Sequence, residues 1–321
     1  MPAPDGARSL KEAFPMKYEL SAINDAIRQD PAAFMQQCEA DYDSRVEQAA
    51  RQIAPGVRRS PIVLLAGPSG SGKTTTAGRL EKALEKLGVH AHLISLDDYF
   101  RDVNPATHPR TEDGDIDYES PLCLDTPLLN RHFTELEQGR EILVPKFNFA
   151  RSKREPDQVT PLRAAPGEAI LFEGIHAFNS LITEQHPQAT RVYISAQSPI
   201  CRDGEVFFTG TWMRLMRRCV RDYNSRGTSV ETTLQMWGNV LRGEDLYIAP
   251  FLHGNEISFD TTLAYEVPVL AVCARPLFEA LPDTAPRLEE VRTVLDRAAE
   301  FLPLSPADVS PDSLLQEFIS H

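Results

Sequence analysis

The sequence predicts an α/β fold with three layers, in which helices cover both faces of a mainly parallel central sheet. Between residues 60 and 275, short apolar runs alternate with helical stretches, which is typical of a parallel sheet built from strand–helix units. The segment 67–74 joins one apolar run to a helical stretch and matches the phosphate-binding pattern G-x-x-x-x-G-K-[ST]. Together these observations predict a P-loop NTPase fold.

Composition and charge exclude several classes of function. The chain has 321 residues, of which 42% are hydrophobic and 25% are charged, which is ordinary for a globular protein with a sizeable core. A formal net charge of −13 predicts a surface that repels nucleic acids and anionic membranes, so neither is expected as a partner. The five cysteines are scattered without a C-x-x-C pair, and no apolar run is long enough to cross a bilayer. We therefore expect a cytoplasmic protein.

Residues 1–55 differ from the rest of the chain and predict a helical N-terminal extension. Asp30-Pro31 is a typical helix start, and the pattern stops at Pro55-Gly56. The apolar residues between these points recur every three or four positions, as on one helical face: Phe34, Cys38, Tyr42, Val46, Ala49 and Ile53. We expect this face to dock for stability on the main domain or on another subunit, and we expect a homo-oligomer.

Residues 56–285 predict the P-loop kinase domain, and residues 286–321 predict a helical tail packed on it. The expected strands are Ile62–Ala66, 90–95, 169–172, 191–194 and 267–272. A helix is expected over residues 286–300. Ligands of parallel α/β sheets bind beyond the carboxyl ends of the strands, so the residues after each strand are candidates for chemistry.

The P-loop predicts a site for a nucleoside triphosphate. Its glycines allow backbone N–H groups to close around phosphate oxygens, and the following helix N-terminus adds partial positive charge. Lys73 is expected to reach the outer phosphates, and the Thr74 hydroxyl to hold Mg²⁺. The predicted nucleotide-binding residues are Gly67, Ser69, Gly70, Ser71, Gly72, Lys73, Thr74, Thr75 and Arg226. The alternative, a glycine-rich turn beside a solvated lysine, does not explain the full motif in this setting.

Two carboxylates after other strands are candidates for proton and metal chemistry. Asp97 follows the second strand and could take a proton from an attacking hydroxyl or help to hold Mg²⁺. A helix N-cap or turn aspartate explains its position equally well. Glu173 ends a buried apolar strand, where a carboxylate is costly without a partner such as Mg²⁺. We predict Thr74, Asp97 and Glu173 as the metal site.

Five arginines lie within thirteen residues of this acidic chain: Arg214, Arg217, Arg218, Arg221 and Arg226. The stretch 211–224 predicts a helix on which three of them share a face. We interpret the segment near 211–226 as a lid that closes over the triphosphate and stabilises charge in the transition state. A solvated basic face is the alternative.

A long polar segment, residues 104–163, lies between two predicted strands. It contains Asp117-Tyr118-Glu119-Ser120 and Phe147-Asn148-Phe149-Ala150-Arg151. An insertion of acidic and aromatic residues beside a P-loop suits the recognition of a small hydroxylated molecule.

In their order along the chain, these motifs resemble the uridine kinase and phosphoribulokinase family of P-loop kinases. The resemblance covers roughly residues 60–275 and rests on the P-loop, Ser-Leu-Asp-Asp-Tyr-Phe-Arg, Leu-Asp-Thr-Pro-Leu-Leu, Val-Pro-Lys-Phe-Asn-Phe, Leu-Phe-Glu-Gly-Ile and Arg-Leu-Met-Arg-Arg-Cys-Val-Arg-Asp-Tyr-Asn-Ser-Arg-Gly. The chain is most similar to bacterial uridine-kinase-like proteins. The resemblance implies ATP- and Mg²⁺-dependent phosphorylation of a small-molecule acceptor, the 5′-hydroxyl of a nucleoside.

The resemblance also implies roles for individual residues. Asp97 matches the base that deprotonates the acceptor hydroxyl. Glu119 lies where uridine kinases bind the ribose hydroxyls, and Phe147 lies where they stack an aromatic ring near the base. From the motifs and the resemblance taken together, the predicted catalytic residues are Asp97, Lys73, Arg218 and Arg221. The predicted acceptor-binding residues are Asp97, Tyr99, Glu119, Phe147 and Arg218.

Three departures from uridine kinases concern the choice of acceptor. Ser152, Met236 and Thr228 stand where those enzymes have a histidine, a glutamine and an arginine. Two alternatives to a nucleoside kinase remain open. One is a kinase of the same fold for a sugar phosphate or a pantothenate-like alcohol, and the other is a nucleotide-binding regulatory protein without an acceptor.

Overall fold

The computed structural model describes residues 17–320. Its strands are β1 (Tyr18–Glu19), β2 (Ile62–Ala66), β3 (Ala91–Ser95), β4 (Ile142–Val144), β5 (Phe147–Asn148), β6 (Lys153–Arg154), β7 (Thr160–Leu162), β8 (Ala169–Glu173), β9 (Thr190–Ser195), β10 (Ile200–Arg202), β11 (Glu205–Phe208) and β12 (Ile257–Asp260). Its α-helices are α1 (Leu20–Gln29), α2 (Pro31–Val57), α3 (Lys73–Lys86), α4 (Thr126–Glu137), α5 (Ser180–Thr183), α6 (Gly210–Arg226), α7 (Val230–Tyr247), α8 (Glu266–Glu279), α9 (Leu288–Ala298) and α10 (Gln316–Ile319).

A five-stranded, entirely parallel sheet lies at the centre and confirms the predicted fold class. The strand order is β12-β9-β2-β8-β3, and helices flank the sheet. Residues of β2 are fully buried because β8 and β9 pair with this strand on its two sides. The carboxyl ends of β2, β3 and β8 therefore meet at one edge, which brings the P-loop, Asp97 and Glu173 together.

One predicted strand is wrong. Residues 267–272 lie in helix α8, and the fifth strand of the sheet is β12. The apolar run suggested a strand because residues 267–271 of α8 are all apolar and buried, so they show no alternation from which a helical period could be read. Pro268 lies in the first turn of the helix, where its missing N–H breaks no hydrogen bond.

The N-terminal helices share a hydrophobic core with the P-loop region. The Tyr42 hydroxyl on α2 lies 2.7 Å from the Thr76 hydroxyl on α3, and both side chains are buried. Helix α2 continues through Pro55 to Val57, two residues beyond the predicted end at Pro55. A Cβ atom at Gly56 would lie 2.3 Å from the Thr190 hydroxyl oxygen, so only glycine permits this close approach of α2 to β9. Helices α1 and α2 thus support the strands that carry the site.

The polar segment between β3 and β8 folds into helix α4 and two small antiparallel pairs, β4 with β7 and β5 with β6. Helix α9 confirms the helix predicted over residues 286–300. Beyond it the chain returns to the P-loop, where the short helix α10 packs on α6. Among residues 17–320, no helix combines the length and apolar character that a membrane-spanning segment requires.

Candidate active site

The P-loop connects β2 to α3 in a conformation that requires glycine. Gly70 and Gly72 have φ angles of +74° and +80°, which side-chain-bearing residues rarely adopt. A Cβ atom at Gly67 would lie 1.9 Å from the Ile194 carbonyl oxygen. The glycines therefore serve both the turn and the packing of the loop against β9, and the backbone N–H groups at the start of α3 are left to bind an anion.

The three residues after Gly72 have different surroundings. The Lys73 ammonium donates a hydrogen bond to the Pro68 carbonyl oxygen at 3.1 Å. Burial lowers the pKa of Lys73, while the negative charges of Glu173, Asp97 and Glu317 oppose that shift. Thr74 is exposed, so its hydroxyl is accessible to a ligand. Thr75, in contrast, donates hydrogen bonds from its N–H and its hydroxyl to the carboxylate of Glu317, which is 242 positions further along the chain.

Asp97 and Glu173 are linked through Ser95. The Ser95 hydroxyl donates to Glu173 Oε1 at 2.9 Å and accepts the Asp97 N–H at 3.3 Å. Burial, reinforced by the charge of Glu173, raises the pKa of Asp97 to about 6, and Lys73 acts in the opposite direction. The pairing of Ser95 with Glu173 across β3 and β8 sets this arrangement. Sequence reasoning missed Ser95, although its position directly before the acidic turn was a signal.

Asp98 has a separate role from its neighbour. Its carboxylate accepts the Phe147 N–H at 3.2 Å and pairs with the Lys146 ammonium at 3.1 Å. These bonds attach the turn after β3 to the hairpin of β5 and β6. Asp98 is therefore committed to structure, whereas Asp97 makes no side-chain hydrogen bond or ion pair within residues 17–320.

Helix α6 lies directly against the P-loop, which contradicts the alternative of a solvated basic face. A Cβ atom at Gly70 would lie 3.0 Å from the Arg214 carbonyl oxygen. Arg218 and Arg221 are both buried. Arg218 Nη1 donates to the Ser69 hydroxyl at 2.7 Å, so the structure places this arginine on the P-loop itself.

Asp222 gathers the charged groups at the end of α6. It lies 3.3 Å from Arg218 Nε, 2.7 Å from Arg221 Nη2 and 3.5 Å from Arg226 Nη1. One buried carboxylate thus orients three of the predicted nucleotide-site arginines. The spacing of four residues after Arg218 was the signal that sequence reasoning did not use.

Two further arginines of α6 stabilise the fold. Arg217 is fully buried and pairs with the fully buried Glu266 at 2.6 Å, and it also donates to the Gly70 carbonyl oxygen at 3.3 Å. Arg214 makes two hydrogen bonds to Glu244 on α7, of 2.7 and 2.8 Å. Their guanidinium groups are paired inside the protein, so they fix α6 against the P-loop and α7.

Glu119 lies on the other side of the site, against helix α7. A Cβ atom at Gly243 would lie 2.8 Å from Glu119 Cβ, so glycine is required for this approach. Burial raises the pKa of Glu119 to about 7, with Arg218 opposing the shift and Asp117 adding to it.

Sequence reasoning missed a polar cluster beside Glu119. The buried Asp117 accepts a hydrogen bond from the Tyr247 hydroxyl at 2.8 Å and pairs with Arg242 at 3.0 Å. The ring of His176, three residues after Glu173, lies 6.2 Å from the Tyr247 ring. His176 is buried, and neither ring nitrogen has a hydrogen-bond partner within the described part of the chain. Burial lowers its pKa to about 3, which keeps the ring neutral.

Two predicted acceptor residues lie in packed surroundings. The Tyr99 side chain is fully buried, and its hydroxyl lies 3.0 Å from His132 Nδ1, so it supports the fold and does not face the site. Phe147 is 6% exposed and packs against Phe100 and Phe149, with ring centroids 5.7 and 5.1 Å away. Phe149 is the exposed member of this aromatic group.

Comparisons with known proteins agree with this geometry. The family model described as "Phosphoribulokinase / Uridine kinase family" matches residues 62–267, more than half of the chain. A uridine kinase of Brevibacillus brevis is 31% identical over 185 residues, which cover 57% of this chain and 76% of that protein. A uridine kinase of Staphylococcus haemolyticus is 28% identical over 181 residues, 56% of this chain and 77% of that protein.

A uridine kinase of Schizosaccharomyces pombe is 30% identical over 193 residues, which cover 59% of this chain but only 37% of that protein. The matched range begins at β2 and ends at the start of α8, so it includes the P-loop, Asp97, Glu173 and helix α6. The predicted resemblance and the predicted class of enzyme, a kinase with a hydroxyl acceptor, are confirmed. The chain belongs to the Phosphoribulokinase / Uridine kinase family.

Proposed function

We propose that this protein transfers the γ-phosphoryl group of ATP to the 5′-hydroxyl of a nucleoside. The observation that carries the proposal is the position of Asp97 at the carboxyl end of β3 beside the P-loop, where its carboxylate makes no hydrogen bond or ion pair to residues 17–320. The three relatives described above are all uridine kinases, which favours a nucleoside over other acceptors. The polar cluster around Glu119 supplies a second side on which an acceptor would bind.

The residues of the P-loop edge fit a nucleotide and Mg²⁺. Gly70 and Gly72 give the loop the left-handed turns that aim its backbone N–H groups at an anion, Thr74 offers an exposed hydroxyl, and two carboxylates are joined through one serine. Bound Mg²⁺ would offset the negative charge of the phosphates, and Thr74, Asp97 and Glu173 are the residues that would hold it. Lys73 and Arg218, which both bond to P-loop atoms, would add positive charge beside the phosphates.

The reaction requires one proton transfer and one exchange of phosphorus–oxygen bonds. The acceptor oxygen forms a bond to the γ-phosphorus of ATP, while the bond from that phosphorus to the bridging oxygen of ADP breaks. Asp97 accepts the proton that the hydroxyl releases. With a pKa of about 6, this carboxyl is mostly ionised at neutral pH and still basic enough to act.

Acceptor recognition is assigned to the groups on the α7 side. Glu119 would accept hydrogen bonds from the ribose hydroxyls, and the aromatic group of Phe147 and Phe149 would contact the base. Ser152 and Met236 are both exposed, and neither offers the ring or amide contacts of a uridine kinase. The proposal therefore includes a base preference that differs from that of ordinary uridine kinases.

The proposal also concerns location and assembly. All five cysteines, each within residues 17–320, are free thiols, which supports a reducing compartment such as the cytoplasm. A homo-oligomer is proposed as well, and light scattering after size exclusion would measure its mass.

A panel of acceptors tests the proposed function. Purified protein with radiolabelled ATP and Mg²⁺ is offered each common ribonucleoside, ribulose 5-phosphate and pantothenate in turn, with the Asp97→Asn variant as the background control. We expect label in a nucleoside 5′-monophosphate. Label only in ribulose 5-phosphate or pantothenate would overturn the nucleoside assignment, and acceptor-independent hydrolysis alone would indicate a regulatory protein.

A further inference from the structure

Residues 313–319 lie against the P-loop. A Cβ atom at Gly72 would lie 2.6 Å from Leu314 Cδ1, so this segment packs on the glycine directly before α3. The Asn224 side chain donates to the Ile319 carbonyl oxygen at 3.2 Å, and the Arg217 guanidinium lies 5.1 Å from the centre of the Phe318 ring. The segment of residues 313–319, here called the tail clamp, is thereby held on α3 and α6.

Glu317 of the tail clamp occupies hydrogen-bond donors of the P-loop helix. Its Oε2 accepts the Thr75 hydroxyl at 2.6 Å and lies 3.4 Å from the Thr75 backbone nitrogen, whose N–H also points to it. Thr75 is the third residue of α3, and the N–H groups of a first helical turn have no partner inside the helix. In a P-loop these N–H groups bind the phosphates of the nucleotide. The carboxylate is thus an anion where a phosphate would bind.

The charge of Glu317 also acts on the group that neutralises phosphate. It is one of three carboxylates whose charges favour the ammonium form of Lys73. In this respect the tail clamp supplies what a bound nucleotide would supply, namely negative charge beside Lys73 and an acceptor for the first turn of α3. Phosphate oxygens and a carboxylate cannot both use the Thr75 donors, and their like charges repel each other at this distance.

We propose that Glu317 occupies the position of a nucleotide phosphate at the start of α3, so that a nucleotide must displace it and the tail clamp sets the affinity for nucleotide. This inference rests on the nucleotide-binding part of the proposed function and is independent of which acceptor is phosphorylated. The apolar contacts of Leu314 and Phe318 keep the tail clamp near the site after displacement, because both side chains are buried in the core.

The Glu317→Gln variant tests this inference, because it keeps the size and the hydrogen-bonding oxygen of the side chain but removes the charge. The dissociation constants of ATP and ADP are measured by calorimetry without acceptor. We expect both nucleotides to bind about three- to tenfold more tightly, the range that a single charge at a helix N-terminus produces. The control is Asp308→Asn, an exposed acid of the same tail without a contact to the P-loop, which should bind as the wild type does.

A second measurement uses the unmodified protein. Hydrogen exchange of the backbone amides of residues 313–319 should become faster when ATP saturates the site, because the nucleotide displaces the Glu317 contact. Equal or weaker nucleotide binding by Glu317→Gln, or slower exchange of the tail clamp with ATP, overturns the inference. A wild-type protein that binds ATP but phosphorylates no nucleoside would remove only the acceptor assignment, whereas one that binds no ATP would remove both.

Discussion

The two sides of the candidate site are built in different ways. On the phosphate side, most binding groups come from one short segment, residues 67–75, and from the carboxyl ends of two neighbouring strands, and helix α6 adds Arg218. On the acceptor side, the contacts join distant parts of the chain: the bond between Asp117 and Tyr247 spans 130 positions, and Glu119 rests on Gly243. The phosphate side is therefore mostly local in sequence, whereas the acceptor side exists only after folding.

This difference determines how each side should respond to mutation. A group on the phosphate side acts on the transferring phosphoryl group, so its loss should lower kcat for every acceptor. A group on the acceptor side touches only the part of the acceptor that does not react, so its loss should appear mainly in KM for that acceptor.

The largest effect is expected at Asp97. Asp97→Asn removes the proton acceptor, and kcat should fall by roughly 10²–10⁴-fold. The matched control is Asp98→Asn, because Asp98 is committed to Lys146 and the Phe147 N–H and has no role in proton transfer. Steady-state rates of both variants decide the assignment. Equal losses, or the larger loss at Asp98, would place the base elsewhere.

The second-largest fall in kcat is expected at Lys73. Lys73→Ala removes positive charge from the phosphate side, and kcat should fall by roughly 10²–10³-fold, the range for a group that stabilises charge in the transition state. Lys86→Ala, an exposed lysine at the other end of the same helix, serves as the control and should keep the wild-type rate. Near-normal turnover by Lys73→Ala would contradict the assignment of the P-loop as a phosphate site.

The sequence could predict that the P-loop, Asp97 and Glu173 lie at one end of the sheet, and the reason is physical. A P-loop is a local backbone conformation, and residues such as Asp97 and Glu173 are positioned by the ends of strands that the apolar pattern reveals. Four of the five strands of the central sheet could therefore be predicted. The helical character of the run 267–272 could not be predicted, because five consecutive buried apolar residues, 267–271, hide the period of a helix.

The rest of the site depends on contacts that no local pattern encodes. His176 lies buried beside Tyr247, and Glu317 reaches Thr75 across 242 positions. Tyr99 is a case in which the motif suggested too much. Its place in the motif predicted a contact with the acceptor, but its hydroxyl is hydrogen-bonded to the buried His132. Sequence alone gives the residue types and the strand ends, whereas the partners of these residues require the fold.

The arginines of α6 allow a direct comparison within one helix. Arg218→Ala removes a donor that rests on the P-loop serine, and kcat should fall by a factor on the order of 10² with little loss of stability. Arg217→Ala leaves the buried carboxylate of Glu266 without its partner, and the free energy of unfolding should fall by about 3–5 kcal/mol. Denaturant unfolding and steady-state kinetics separate the two outcomes. If both variants lost kcat and unfolding free energy to the same extent, the division between catalytic and structural arginines would be contradicted.

The smallest effect, and the one that tests the acceptor side, is expected at Glu119. Glu119→Gln should raise KM for a nucleoside about tenfold, the effect of a lost charged hydrogen bond, and leave kcat and KM for ATP nearly unchanged. The raised pKa of about 7 means that wild-type Glu119 is protonated as the pH falls through 7, so the KM of the wild-type enzyme should rise there while that of the variant stays level.

The stability of the folded protein should depend on the charge of Glu119 in the opposite sense, because the charged form that binds the acceptor is the form that folding disfavours. Because the pKa is higher in the folded state than the ordinary value of 4.5, ionisation of Glu119 disfavours the folded protein as the pH rises through 7. Glu119→Gln should therefore raise the melting temperature at pH 8 and not at pH 4, and a variant that is less stable at pH 8 with an unchanged KM would show that Glu119 supports the fold and does not bind the acceptor.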